Sequence, residues 1–262
     1  MKDVQNEKDL RNIPINKVGV NNVKYPLSVI NKEGNIIHTV ATINMYVDLP
    51  HHYRGTHMSR FLEIISKHNV NLDFHNLDNI LKDIRKKFDC KIAHLEISFP
   101  YFVHKKAPVS KITSPLEYEC KVECEMNEDE KLKLITEVKV PVTTLCPCSK
   151  EISESGAHNQ RADIIIKIKS SRLVWFEELI EIAEKSGSAP IFTLLKRSDE
   201  KYLTEHAYNN PRFVEDAARE VVLKLRKDKR IKWYSVEVIS YESIHKHNAY
   251  ACISESLDEN RI

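Results

Sequence analysis

One order of elements, two strands, two helices and two strands, occurs twice along this sequence, and few architectures accommodate it. Residues 23–31 read as a strand, Lys32-Glu33-Gly34-Asn35 as a turn, and Ile36 to Val47 as the returning strand, with Ile37, Ala41, Ile43, Met45 and Val47 on one face at period two. Helical spacing follows at 58–65, and again at Leu77, Ile80, Leu81, Ile84 and Phe88. Two long strands, Ile92 to Val103 and Leu116 to Met126, close the first round, and the acidic turn Asn127-Glu128-Asp129-Glu130 separates it from the second. There, strands at Leu132–Val142 and Ala162–Ile168 flank a Cys/His loop, helices are predicted at Trp175–Lys185 and Pro211–Arg226, and strands at Trp233–Tyr241 and His247–Ile253. The pattern predicts an α+β fold with antiparallel sheets and helices on one face. Residues 1–16 are expected to be a loose polar segment, 17–128 the first module and 129–262 the second.

The 262 residues exceed one ordinary compact domain, in line with two modules. The net charge of +2 arises from 40 basic and 38 acidic residues mixed along the chain, which leaves no electrostatic footprint for nucleic acid or a membrane surface. No run of apolar residues approaches a membrane span and the N-terminal residues carry no apolar signal region, so a cytoplasmic protein with reduced cysteines is expected.

Chemistry concentrates between Thr143 and Arg161. Cys146 and Cys148 lie either side of Pro147, and His158 follows beyond Gly156. A thiolate and an imidazole brought together across a turn form half of a site for zinc, manganese or iron, although a lone Cys-x-Cys pair is also compatible with two core or merely free thiols. The other cysteines provide no second close pair, so a metal held here would keep an open, catalytic position. Glycine is scarce, five in all, yet Gly55 and Gly156 fall in the two loops richest in His, Arg and Cys, suggesting positive φ or close approach to a ligand. In the second module Asn210-Pro211 reads as an N-cap and first helical residue, which places Glu215 at the rim of the apolar face. His245 and His247 share a face if the last strand reaches them. Arg54 and Arg60 flank a predicted helix start, a plausible anion site.

Taken together, several motifs resemble the prokaryotic type IB GTP cyclohydrolases, of the GTP cyclohydrolase I family, over about residues 45 to 250. They are Asp48-Leu49-Pro50 with Arg54-Gly55-Thr56-His57-Met58-Ser59-Arg60, Thr144-Leu145-Cys146-Pro147-Cys148-Ser149 with Gly156-Ala157-His158-Asn159-Gln160-Arg161, Leu195-Lys196-Arg197 with Asp199-Glu200-Lys201, Asn210 to Asp216, and Glu242-Ser243-Ile244-His245. The resemblance implies a tunnelling fold, a homotetramer with active sites at subunit interfaces, and conversion of GTP to 7,8-dihydroneopterin triphosphate and formate, the first step of folate biosynthesis. By position it implies Cys146, His158 and Glu200 as ligands of one divalent metal, Glu215 as the guanine anchor, and Cys148, Glu242 and His245 as proton-transfer groups. Arg54, His57 and Arg60 are expected to contact the triphosphate. Two alternatives stay open at this point: an archaeal-type cyclohydrolase ending at a cyclic phosphate, and a non-catalytic thiol or zinc-binding module.

Overall fold

The structure is a computed structural model that describes residues 5, 7–68 and 70–257. The chain forms two compact units, Met1–Phe99 with Lys121–Ile135, and Pro100–Cys120 with Thr136–Ile262. Strands β3 (Ala93–Lys106) and β4 (Thr113–Met126) contribute residues to both.

In the first unit, β1 (Ile15–Ile30) and β2 (Ile36–Leu49) form an antiparallel hairpin. Its turn is tied by Asn31, whose Oδ1 accepts the N–H groups of Glu33 and Asn35, and Gly34 supplies a φ of 85°. Strand β2 buries Ala41, Ile43, Met45 and Val47, as its alternation predicts, leaves Ile37 only half-buried, extends the buried face to Leu49, and pairs with β3 from Thr42↔Ser98 to Val47↔Ala93. Helices α1 (Ser59–Lys67) and α2 (Phe74–Phe88) bury Phe61, Ile64 and Ile65, and Leu77, Ile80, Leu81 and Ile84. Asp73 caps α2 by accepting from His75 and Asn76, and Phe61 stacks on Phe88 at 4.2 Å. At Gly19 an added Cβ would lie 2.0 Å from the Met45 carbonyl oxygen, so the hairpin closes only with glycine there.

Of the segment 1–16, residues 1–4 and 6 lie outside the described residues, and the described part makes backbone contacts of its own. Asp9 N–H donates to His52 O, Arg54 N–H to Glu7 O and Gly55 N–H to Gln5 O, each at 3.1 Å, and β1 begins at Ile15. The His52 carbonyl and the Arg54 and Gly55 N–H groups are thereby satisfied by residues 5–9.

The second unit is built on β5 (Leu132–Leu145), β6 (Asn159–Ser170), β8 (Ile231–Ser240) and β9 (Ala249–Ser256), with a short β7 (Ala189–Pro190) beside β5. All pairings are antiparallel, running β5 to β6, β6 to β8 and β8 to β9. Val138, Val140, Val142, Ile164, Ile166, Tyr234, Val236 and Val238 are buried, and α4 (Phe176–Glu184) and α6 (Val214–Leu225) pack on these strands through Leu179, Ile180 and Ala183, and Ala217, Ala218, Val221 and Leu225. The unit also contains α3 (Pro147–Ile152) and α5 (Arg197–Asn209), neither expected from periodicity.

Each longer helix of this unit opens with an acid at its third position accepting the N–H of the residue before the helix: Glu178 from Trp175, Asp199 from Lys196 and Asp216 from Phe213. The expected start of α6 therefore moves. Asn210 ends α5, where its side-chain amide donates to the Gly187 and Ser188 carbonyls, and α6 begins at Val214 rather than Pro211.

Asp199 also accepts the backbone N–H groups of Val109 and Ser110 through Oδ1, both at 2.8 Å, and is completely shielded from solvent. Burial raises its pKa, but the donors of Ser110, Lys196 and Val109 outweigh that and hold the carboxyl well below the usual carboxylate range. A depressed folded-state pKa contributes stability that is present above the unfolded value, about 3.9, and is lost as pH falls toward the folded value. Asp199→Asn is expected to lower the thermal midpoint at neutral pH by about 5–10 °C and to flatten its decline below about pH 4. An unchanged acid limb in thermal melts of the variant would show that this carboxylate does not set it.

Candidate active site

The β5–β6 register ends at Leu145↔Asn159, so the residues just beyond, Cys146 and His158, face each other across the loop mouth. Cys146 N–H donates to the His158 carbonyl at 3.2 Å. Pro147 starts α3, and Cys146 sits at its N-cap with Sγ accepting the Ser149 N–H at 3.4 Å. Ser149 Oγ in turn accepts the His158 N–H at 3.1 Å. The loop turns back at Gly156, whose φ of 85° bears out the expectation made for it. Gly55 has no such φ, and an added Cβ there would meet only Gln5 at ordinary contact distance.

The Cys-x-Cys pair is not a pair of core thiols, since Cys146 is half-buried and Cys148 exposed; both are free thiols. Cys90, Cys120 and Cys124 are the buried thiols. Burial pushes Cys90 and Cys124 up to about 12, and Cys120 well above its usual range, which leaves all three protonated and inert.

Beside the loop lies a pocket of about 220 Å³ lined by Cys146, Gln160, Arg212, Phe213, Val214, Glu215, Ser240, Glu242, Ala249 and Tyr250. Each element delivers its share for a local reason. The Arg212 N–H donates to the Leu145 carbonyl, anchoring the start of α6 next to Cys146, and Glu215 in the first turn of α6 comes to the rim. Ser240 ends β8, so Glu242 stands two residues past the strand, where Gln160 Nε2 reaches its Oε1 at 3.2 Å. Tyr250 is the second residue of β9, its hydroxyl donating to Glu237 at 3.1 Å.

Of the residues expected from the sequence, the pocket gathers Cys146, Glu215 and Glu242, and Gln160 joins His158 to it. Cys148, Glu200 and His245 are not among its lining residues. Glu200 is exposed on α5, and His245 lies in the bend between β8 and β9, its ring stacked on His247 at 5.2 Å; β9 starts only at Ala249, so the two histidines do not share a strand. Arg54, His57 and Arg60 belong to the first unit, where Arg54 is paired with Glu7. Gln160, Arg212 and Tyr250 were not singled out from the sequence. The first two stand inside the quoted motifs, while Tyr250 carried no signal there.

Cys146 and His158 fit two positions of a metal site. His158 Nδ1 is engaged by Gln160 at 3.0 Å and Ser243 at 3.2 Å, the kind of anchoring that metal-binding imidazoles use. Among the described residues no group of three or more His, Cys, Asp or Glu side chains is assembled to hold a metal ion, so this chain alone does not bring Glu200 to the pair.

A profile of the family described as type I GTP cyclohydrolase FolE2 matches residues 1–251. The protein named GTP cyclohydrolase FolE2 from Pseudothermotoga lettingae is 54% identical over 260 residues, 99% of this chain and 100% of that protein. Those of Fervidobacterium nodosum and Geotalea uraniireducens are 55% identical, covering 97% of each chain, and 49% identical, covering 100% of this chain and 96% of the relative. These matches carry the FolE2 designation, not the type IB label or the general GTP cyclohydrolase I family under which the motifs placed the chain. Among solved structures, the uricase of Arthrobacter globiformis aligns with a TM-score of 0.57 at 7% identity, covering 94% of this chain and 95% of that one. Urate oxidase from Bacillus sp. TB-90 gives 0.55 at 10% identity, with 93% and 100% covered. That likeness is one of fold, and it is consistent with the tunnelling fold the motifs imply. No helix among the described residues is long and apolar enough to cross a membrane.

Proposed function

This chain belongs to the FolE2 family of type I GTP cyclohydrolases and is an enzyme acting on GTP, and from that premise we propose that it converts GTP and water to 7,8-dihydroneopterin triphosphate and formate at the start of folate biosynthesis. The observation that carries the reading is the pocket in which Cys146, Glu215 and Glu242 meet. A candidate metal ligand, a carboxylate at a helix start and a second carboxylate two residues past a strand are what ring opening of a purine requires in one place.

Cys146 and His158 would hold a divalent zinc, manganese or iron ion, and Glu200, which this chain alone does not bring to the pair, is the proposed third donor. When bound, such an ion supplies a water acidic enough to add at purine C8 near neutral pH. Glu215 accepts the guanine N1–H and 2-amino group and so fixes the base. Glu242, Cys148 and His245 exchange protons with the departing ring nitrogen and, later, with the rearranging ribose. Arg54, His57 and Arg60 contact the triphosphate. The two modules, 17–128 and 129–262, alike in their order of elements, act as tandem modules of a homotetramer in which Arg54, His57 and Arg60 reach the pocket from a neighbouring subunit, in the cytoplasm.

Two measurements test this. Chromatography of the product should yield dihydroneopterin triphosphate, and a cyclic phosphate would assign the chain to archaeal-type chemistry instead. Specific activity should fall on dilution in step with the sedimentation of the oligomer into monomers. A monomer with undiminished activity would rule out a site shared between subunits.

A further inference from the structure

We infer that Gln160 is a positioning residue that sets the tautomer of His158, with its own direction dictated by Glu242. The Gln160 amide makes three side-chain contacts: Oε1 lies 3.0 Å from His158 Nδ1, and Nε2 lies 3.0 Å from Ser240 Oγ and 3.2 Å from Glu242 Oε1. An ionised carboxylate only accepts hydrogen bonds, so the end of the amide facing Glu242 is the NH₂. The carbonyl end is then turned toward the imidazole. A carbonyl oxygen also only accepts, and His158 Nδ1 therefore carries the ring proton.

The remaining neighbours are hydroxyls and follow this order rather than opposing it. Ser240, 1% exposed, takes the Gln160 N–H and lies 3.3 Å from the equally buried Thr144 hydroxyl. Ser243 Oγ, 3.2 Å from the same His158 nitrogen, can turn its lone pairs to the shared proton. One acceptor-only group thus decides, through a single amide, which ring nitrogen keeps its lone pair.

That nitrogen is Nε2. The inference rests on the proposed function only in naming what Nε2 is for: a pre-set lone pair held by an anchored ring spares a metal ion the loss of tautomer and rotamer freedom on binding. It also couples the candidate acid–base group Glu242 to the candidate ligand His158 through two hydrogen bonds.

The test uses full-length, metal-free, ¹⁵N-labelled protein and long-range ¹H–¹⁵N spectra of its histidines at a pH where the rings are neutral, with His158 assigned from the peak lost in His158→Asn. Wild type should show the Nδ1–H form. Gln160→Glu, which keeps an acceptor, and Ser243→Ala should keep it, whereas Gln160→Met should shift the population toward Nε2–H. Glu242→Gln, which frees the amide to turn, should shift it the same way without touching Gln160. Titration with zinc alone should show affinity about 10–100-fold weaker in Gln160→Met than in wild type. An Nε2–H ring in wild type, or an unshifted ring in both Gln160→Met and Glu242→Gln, overturns the inference. If the tautomer behaves as stated but wild type binds no zinc, the inference stands and the metal reading falls.

Discussion

Cys146→Ala is expected to lose metal and turnover together, while Cys148→Ala keeps its metal and loses rate. The two thiols are only two residues apart, yet the fold treats them differently. Cys146 is half-buried at the N-cap of α3, lines the pocket, and shares a backbone hydrogen bond with His158. Cys148 is exposed one turn-step further on and does not line the pocket. Removing a group that merely orients a ligand costs about 10–100-fold in metal affinity, and removing the ligand itself costs more. Metal content and kcat measured on both variants decide the matter. Equal metal loss in the two, or a fully loaded Cys146→Ala, would mean the thiol roles are wrongly assigned.

Glu215→Gln should lower kcat/KM for GTP on the order of 2–4 kcal/mol, about 30- to 900-fold, with metal content and assembly unchanged. Glu215 stands in the first turn of α6, on the pocket rim with Cys146 and Glu242. A carboxylate there can accept two parallel hydrogen bonds from guanine N1–H and the 2-amino group. Adenine presents an acceptor at N1 and no 2-amino group, so it would leave that carboxylate unpaired, and sites built on such pairing discriminate by about 10⁴-fold. Glutamine offers a donor where an acceptor is needed. Inosine triphosphate, which lacks the 2-amino group, isolates the effect: wild type should penalise it strongly and the variant much less. The same penalty in both proteins would make Glu215 a flank residue of an amphipathic helix, with the guanine read elsewhere.

Elements that bury one face declare themselves in the sequence. Strand β2 and helices α1, α2, α4 and α6 follow from the spacing of residues such as Ile43, Met45, Leu77, Ile80, Val221 and Leu225, all of them buried. The first half of β1 does not, because register shifts between Ile15 and Val18 and between Val20 and Val23 break its alternation, and Asn22, at a φ of 58°, reads as a turn. Helix α5 was missed because it buries only Asp199 and Ala207, so it carries no apolar stripe. It is held instead by a carboxylate reaching to Val109 and Ser110, about 90 residues away in sequence, which no local pattern encodes.

The site divides in the same way. The Cys146–His158 loop was legible because two thiols, a glycine and an imidazole set between two predicted strands are a local signature. The Asn210-Pro211 pair misled because Asn210 serves the end of one helix as well as a cap would serve the start of the next, and only tertiary partners at Gly187 and Ser188 decide between them. Gln160 and Arg212 acquire meaning only from the register that sets them beside Glu242 and Leu145.

The central claim, metal-dependent opening of GTP, is tested most directly by turnover of metal-stripped protein with zinc, manganese and iron(II) restored one at a time under reducing conditions. The stripped protein should be inactive, and at least one metal should restore equal amounts of formate and a fluorescent pterin. Full activity after stripping, or no pterin with any of the three metals, would contradict the account.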